Sequence, residues 1–342
     1  MQNPETDIKP KPNCVIVDAN SWLKELLFKS AIGETLVYTL GRQGAFLGFP
    51  EIIETEVRNH GVRDALEALE ELKKWSRIVN SLLGFSAIAG DSTESEARAK
   101  IDERLSALKP ILIPVQFTLE HAKAALEMVN SRLPPNGEKN QQFKDSAIWQ
   151  AILTLLPNYS MHFVTDDRGF FENRDTKKGL ATNLANDCSQ RNGSIEIHSD
   201  VATCLAALAA MAEVNEDRIL ELILPSVRLT TEAEAKRHKY ALGELLSKEI
   251  KAFQTSQQTR LAVDYKMTFQ YDSPPPVSSE TEFQFLAITH GSCYYNTTDD
   301  LVTDHSIDYV TLGWKSPSGR GMYARDFGKD GPFRRPVKYW EY

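Results

Sequence analysis

Four carboxylates that lie far apart in the chain stand in contexts able to bring them together: Asp18, Glu56, Asp145 and Asp167. Asp18 ends the apolar run Cys14 to Val17, just before a helical stretch. A carboxylate at the carboxyl end of a buried strand lies where open α/β sheets bind ligands. Glu56 belongs to the helical run after Pro50, Asp145 opens a further helix, and Asp167 follows the short strand MHFVT. Hard divalent cations such as Mg2+ and Mn2+ take oxygen donors. Held by converging acids, such ions bind the anionic oxygens of a phosphodiester, activate a water and steady the leaving oxygen. The pattern therefore implies metal-assisted phosphodiester hydrolysis, with ions about 3.5–4 Å apart if the site holds two.

Each acid also has a plainer reading. Asp18 suits a helix cap. Glu56 is one of several charges on its helix, and Glu54 is its rival as a ligand. Asp145 suits a first helical turn, where negative charge meets the helix dipole. Asp166 and Asp167 suit a turn. Taken together, the four predict a crowded site in which one or more carboxyl pKa values are raised without metal. Adding Mg2+ or Mn2+ should then stabilise the fold.

The elements needed to position these residues can be read from apolar spacing. Strands are predicted at Cys14–Val17, Met161–Thr165 and Ser194–His198. Helices are predicted after Asp18 (with Asn20 or Ser21 as cap) and over Glu51–His60, Asp64–Trp75, Thr93–Leu108, Leu119–Asn130, Phe143–Leu156 and Val201–Val214. Strands alternating with helices argue for a parallel sheet covered on both faces. Beyond residue 216 the pattern changes. Glu232–Phe253 reads as one long amphipathic helix, followed by strands at Arg260–Tyr271, Glu282–Thr289 and Ile307–Trp314. The expected organisation is a flexible leader (1–12), an α/β domain (13–215) and a smaller α+β domain (216–342).

The runs VIVDANSWL, PEIIETEVRNH, KDSAIWQAIL and HFVTDDRGFF, in that order, resemble the acidic motifs of PIN-domain proteins, most closely the large bacterial branch, over roughly residues 13–200. That resemblance implies a three-layer α/β/α fold and metal-dependent cleavage of single-stranded RNA, with Mg2+ or Mn2+ as cofactor and 5′-phosphate and 3′-hydroxyl products. By position it assigns Asp18, Glu56, Asp145 and Asp167 as metal ligands. It gives supporting roles to Asn20, which would orient Asp18, and to Thr165 and Asp166. Two departures stand out. Ala19 replaces a frequent Thr or Ser, and Gly169 replaces a frequent Asp, for which Asp166, Glu172 or Asp175 are the available substitutes. These departures leave open a non-catalytic module that binds RNA or protein. A phosphatase with Asp18 as nucleophile fits less well, because the second acid of a D-x-D pair is here Asn20.

The chain has 342 residues and a formal net charge of −8, which excludes general attraction to polyanions but not a local basic strip. One such strip runs from Lys315 to Lys338. Lys315, Arg320, Arg325, Lys329, Arg334, Arg335 and Lys338 face only Asp326 and Asp330, and aromatic residues are interleaved. Cations with aromatics suit single-stranded nucleic acid, with Arg320, Arg325, Arg334 and Arg335 as candidate contacts. The same residues suit ordinary sheet and turn positions, with the aromatics in a small core, somewhat better. The four cysteines form no C-x-x-C pair, which suits a reducing cytoplasm. The histidines show no H-x-x-x-H spacing, and His60, His162 and His198 read as structural. No apolar run is long enough to span a bilayer. RNA is the expected partner, with a homo-oligomer or a regulatory protein as further candidates.

Overall fold

The computed structural model describes residues 11–84, 93–137, 141–272, 284–315 and 321–328; for 314–315 and 321–328 only the backbone is described. The chain divides into two units. One comprises residues up to Leu27, Leu36–Gly61 and Lys100–Leu208; the other comprises Phe28–Thr35, Val62–Ala99 and Ala209 onward.

In chain order the first elements are β1 (Asn13–Val17), α1 (Ala19–Lys24), α2 (Ala31–Gln43), β2 (Phe46–Pro50), α3 (Glu51–Leu83), α4 (Glu94–Leu108) and β3 (Leu112–Val115). They are followed by α5 (Leu119–Asn130), α6 (Phe143–Leu155), β4 (Ser160–Val164), α7 (Thr182–Gln190), β5 (Ile195–His198) and α8 (Val201–Leu208). The five strands form one sheet in the order β3-β2-β1-β4-β5, and every pairing is parallel. This is an α/β fold with helices flanking a parallel sheet. Cys14 to Val17 of β1 are fully buried, as are Leu47 and Val164. Such continuous apolar runs mark strands covered on both faces. Gly48 lets β2 lie close to its neighbours: a Cβ there would stand 2.7 Å from Ile16 Cγ1 and 3.0 Å from Leu155 Cδ1.

The strand order matters for function. From central β1 the chain moves outward through β2 to β3, then returns to the other side of β1 with β4. The carboxyl ends of β1 and β4 therefore flank a topological switch point, where open α/β sheets leave a crevice.

The second unit contains α9 (Glu216–Arg237) and a five-stranded antiparallel sheet of β6 (Ala241–Gln254), β7 (Arg260–Asp272), β8 (Gln284–Asn296), β9 (Leu301–Lys315) and β10 (Gly321–Gly328), in the order β10-β9-β8-β7-β6. Ile219, Ile223, Val227, Thr231 and Ala235 recur every fourth residue along α9 and are buried, with Ile219, Ile223 and Val227 in one core with Val263, Met267 and Phe269 of β7. Thr231 and Thr289 hydroxyls meet at 2.7 Å inside that core. His290 lies between Asp264, at 3.1 Å from Nε2, and Asp308, at 3.4 Å from Nδ1.

The reading of Glu232–Phe253 as one helix is corrected here. The helix starts earlier, at Glu216, carries Pro225 inside it and stops at Arg237; Lys239 then adopts a left-handed φ of 64°, and β6 begins at Ala241. Register shifts between Leu242 and Leu245 and between Leu245 and Ser247 break the two-residue alternation of β6, so its sequence imitates helical spacing. Strand β3 escaped the sequence reading, being short and interrupted by Pro114. Of the basic strip, Arg320, Arg334 and Arg335 lie outside the described residues, and Arg325 falls in β10. No helix among the described residues is long and apolar enough to cross a membrane.

Candidate active site

The crevice is assembled from loops that leave the sheet at its carboxyl edge. Asp18 follows β1 and caps α1: its Oδ1 accepts the Ala19 N–H at 2.7 Å. Its Oδ2 accepts the Thr165 hydroxyl at 3.1 Å. The same hydroxyl oxygen accepts the Asp167 N–H at 3.1 Å, so one side chain fixes two acids. The main chain ties the strand ends together. Asp18 N–H donates to the Val164 carbonyl at 2.9 Å, and Thr165 N–H to the His198 carbonyl at 3.0 Å.

Asp167 opens a 3-10 turn, Arg168–Phe170. Its Oδ1 accepts the Gly169 N–H at 2.7 Å, and its Oδ2 accepts Gln142 Nε2 at 3.0 Å. Asp145 lies in the first turn of α6. Asn136, which is buried, secures that turn: its Oδ1 accepts the Gln142 N–H at 2.7 Å, and its Nδ2 donates to Ser146 Oγ at 2.8 Å. Glu56 lies near the start of α3 and accepts Lys144 Nζ at 2.6 Å. Asp166 accepts Lys24 Nζ at 2.6 Å. The plain reading of Asp18 and Asp167 thus holds: each carboxylate organises a turn.

The acids also act on one another electrostatically. Burial, then repulsion from Asp166 and Glu56, pushes Asp18 from 3.8 up to about 7, against the lowering effect of the Ala19 N–H and the Thr165 hydroxyl. Burial also dominates at Asp145, followed by repulsion from Asp167, Asp18 and Glu56; with Lys144 opposing, its pKa reaches about 8. All four acids therefore act on Asp145 or on one another. They do not close to the spacing of a single coordination sphere. Among the described residues, the three-donor group with atoms within 4.8 Å of one another consists of other residues. Instead, ammonium groups of Lys144 and Lys24 cover Glu56 and Asp166.

The donor set fits a hard divalent ion. It consists of carboxylate oxygens in excess of the cations facing them, and two of the acids are driven toward protonation by burial first and by acidic neighbours second. Gln142 Oε1, buried and without a hydrogen-bond partner among the described residues, lies among the same groups. A Cβ at Gly169 would stand 3.0 Å from this oxygen and 3.1 Å from Asp167 Oδ1.

Other assignments sort clearly. Glu54 turns away to Arg58 at 2.8 Å, and Arg58 also pairs with Asp102. Asn20 is half-buried and is not among the hydrogen-bond partners of Asp18. Of the three substitutes for an acid at 169, Glu172 binds the Thr182 N–H and hydroxyl at 2.7 and 2.9 Å. Asp175 binds the Lys177 N–H at 3.1 Å. Only Asp166 acts on Asp18. Gly169 itself has no room for a side chain, since a Cβ would meet the Pro135 carbonyl oxygen at 2.6 Å. The sequence reading missed Asn136 and Gln142. The loop signal Pro134–Gly137 was visible, but its role in holding α6 depends on packing.

A family model described as PIN domain matches residues 15–170. The match ends before β5 and α8. No curated protein and no solved structure matches the chain.

Proposed function

We propose, from the premise that residues 15–170 are a PIN domain, that the protein is a Mg2+- or Mn2+-dependent endoribonuclease acting on single-stranded RNA. PIN domains are generally nucleases, and the observation that carries the reading is the placement of Asp18 and Asp167 at the ends of β1 and β4, beside the switch point and tied together by the Thr165 hydroxyl; the raised pKa values of Asp18 and Asp145, from burial and then acidic neighbours, support it. Perturbed carboxyls in a crevice at a switch point mark a functional-site candidate, and their chemistry suits a cation.

In this reading Asp18, Glu56, Asp145 and Asp167 would hold one or two ions, drawing together to do so, and the metal would supply Lewis acidity and lower the pKa of a bound water. Thr165 keeps Asp18 and Asp167 in fixed orientation, and Gln142 immobilises the second oxygen of Asp167. Lys144, mostly exposed and paired with Glu56, would be available to a phosphate oxygen if that carboxylate turned to a metal. No side chain serves as a covalent nucleophile. The products are a 5′-phosphate and a 3′-hydroxyl. The second unit recognises RNA, joins copies of the chain or receives a regulatory protein. The four cysteines are free and buried, as suits a reducing compartment such as the cytoplasm.

A second reading, a PIN module that binds RNA or protein without cutting, is favoured by Gly169, where the Pro135 carbonyl bars the acid common in the family. Incubation of end-labelled single-stranded RNA with purified protein in Mn2+ or Mg2+, followed by sequencing of the ends, separates the two. The nuclease reading expects metal-dependent cuts that fall by more than about 100-fold in Asp145→Asn, since even residues behind a metal ligand are worth 10- to 100-fold. RNA binding without cleavage in either metal supports the second reading.

A further inference from the structure

A separate cluster lies further down the same strands. His162 is the third residue of β4, His198 ends β5, and Cys204 falls in the first turn of α8. The pairing of β4 with β5 sets His162 opposite Glu196 and Val164 opposite His198. Alternation along each strand then puts both imidazoles on one face, and α8 carries Cys204 onto that face. All three are buried, at 7%, 3% and 0% exposure. One donor atom from each lies within 4.8 Å of the other two. His162 Nδ1 and His198 Nε2 are 3.1 Å apart, and Glu196 Oε2 lies 3.7 Å from the same Nδ1.

We propose that His162, His198 and Cys204, with Glu196 as fourth donor, form a second metal site for a zinc-class ion, distinct from the carboxylate crevice in both place and chemistry. Two nitrogens at Zn–N lengths of about 2.0–2.1 Å in a tetrahedral site are roughly 3.3 Å apart, so the observed 3.1 Å needs little movement. Imidazole and thiolate together select zinc over magnesium or manganese. Burial lowers the pKa of both histidines, which keeps them in the neutral form that binds metal. On binding, the Cys204 thiol loses its proton to solvent as the metal–sulfur bond forms. A divalent ion with one thiolate and one carboxylate is then neutral overall, so its burial carries little electrostatic penalty. Glu196, whose side chain is 60% exposed, marks the side from which the ion enters. A hydrogen bond between two neutral imidazoles is the metal-free alternative.

The site has a structural use. The His198 carbonyl holds the Thr165 N–H, and Thr165 holds Asp18 and Asp167. An ion fastened to His198 would pin the strand ends on which the crevice stands.

The test uses the full chain, stripped with chelator and titrated with Co2+. One equivalent giving a thiolate-to-cobalt charge-transfer band and intense tetrahedral visible bands, displaced by Zn2+ but not by Mg2+, supports the site. Wild-type protein without that band overturns it. The band should vanish in Cys204→Ser and persist in Asp145→Asn; its survival in Cys204→Ser overturns the assignment. Because Cys204 is buried and its replacement can disturb folding, His162→Gln is the second variant. A loss of Co2+ affinity of about 10-fold or more, with unchanged circular dichroism, is expected. Unchanged affinity overturns the proposal.

Discussion

Asp264 in the second unit and Asp18 in the first are both drawn into the protein, yet their surroundings differ in sign. Asp264, 6% exposed, faces the His290 imidazole at 3.1 Å, with Asp308 on the far side of the ring and Tyr309 stacked on it at 5.2 Å. Burial alone would lower the His290 pKa, but Asp264 and Asp308 overcome it and hold it well above 6.5. Asp18 receives only neutral donors directly and has Asp166 and Glu56 as its charged company. One arrangement completes its charges internally and serves the fold. The other leaves them in tension that a bound cation would relieve, as is expected where chemistry rather than stability is selected.

The largest effect should come from breaking the completed arrangement. His290→Ala leaves Asp264 buried opposite no cation, and loss of one partner from a buried pair costs about 3–5 kcal/mol. A denaturation transition moved down by less than about 1 kcal/mol would remove the contrast.

The next effect has the opposite sign. Asp145 titrates near 8 in the folded state against 3.8 for an ordinary aspartate. Between those values the folded protein keeps a proton that the unfolded chain has released, so metal-free stability falls as pH rises through this window. Asp145→Asn has no such proton to lose. At pH 8 without metal the variant should be more stable than wild type by about 2 kcal/mol or more, and the difference should vanish below about pH 4. Mn2+ should reverse the ranking, since only wild type gains from the ion. Calorimetry at several pH values, with and without Mn2+, measures all of this, and a flat difference across pH would count against the crowded-acid picture.

The smallest effect sharpens the role of Thr165. Thr165→Val keeps the shape but removes the donor to Asp18 and the acceptor for the Asp167 N–H. Stability should drop by about 1–3 kcal/mol, and cleavage by about 10-fold. Because the lost hydrogen bond favoured ionised Asp18, the acid limb of the pH–rate profile should move to higher pH.

Much of the first unit could be read from the chain because its signals are local. An apolar run ending in Asp18, and MHFVT running into Asp166 and Asp167, carry both strand and acid within a few residues. The different surroundings of Glu54 and Glu56 were not local: Arg58, itself also paired with Asp102, holds Glu54, whereas Lys144 holds Glu56. Asn136 and Gln142 were invisible because they act across a loop and a 3-10 turn. His162, His198 and Cys204 follow no metal-binding spacing, and only the register of β4 against β5 brings them together. In the second unit β6 misled because its bulges disguise the alternation.

The peptide oxygen of Pro135, lying where a Cβ on Gly169 would have to go, couples two distant positions. An acid cannot be grafted at 169 alone, because the backbone of the 134–137 loop would have to withdraw first. A variant of this chain that carries an aspartate at 169 must therefore rewrite its diproline loop in the same step.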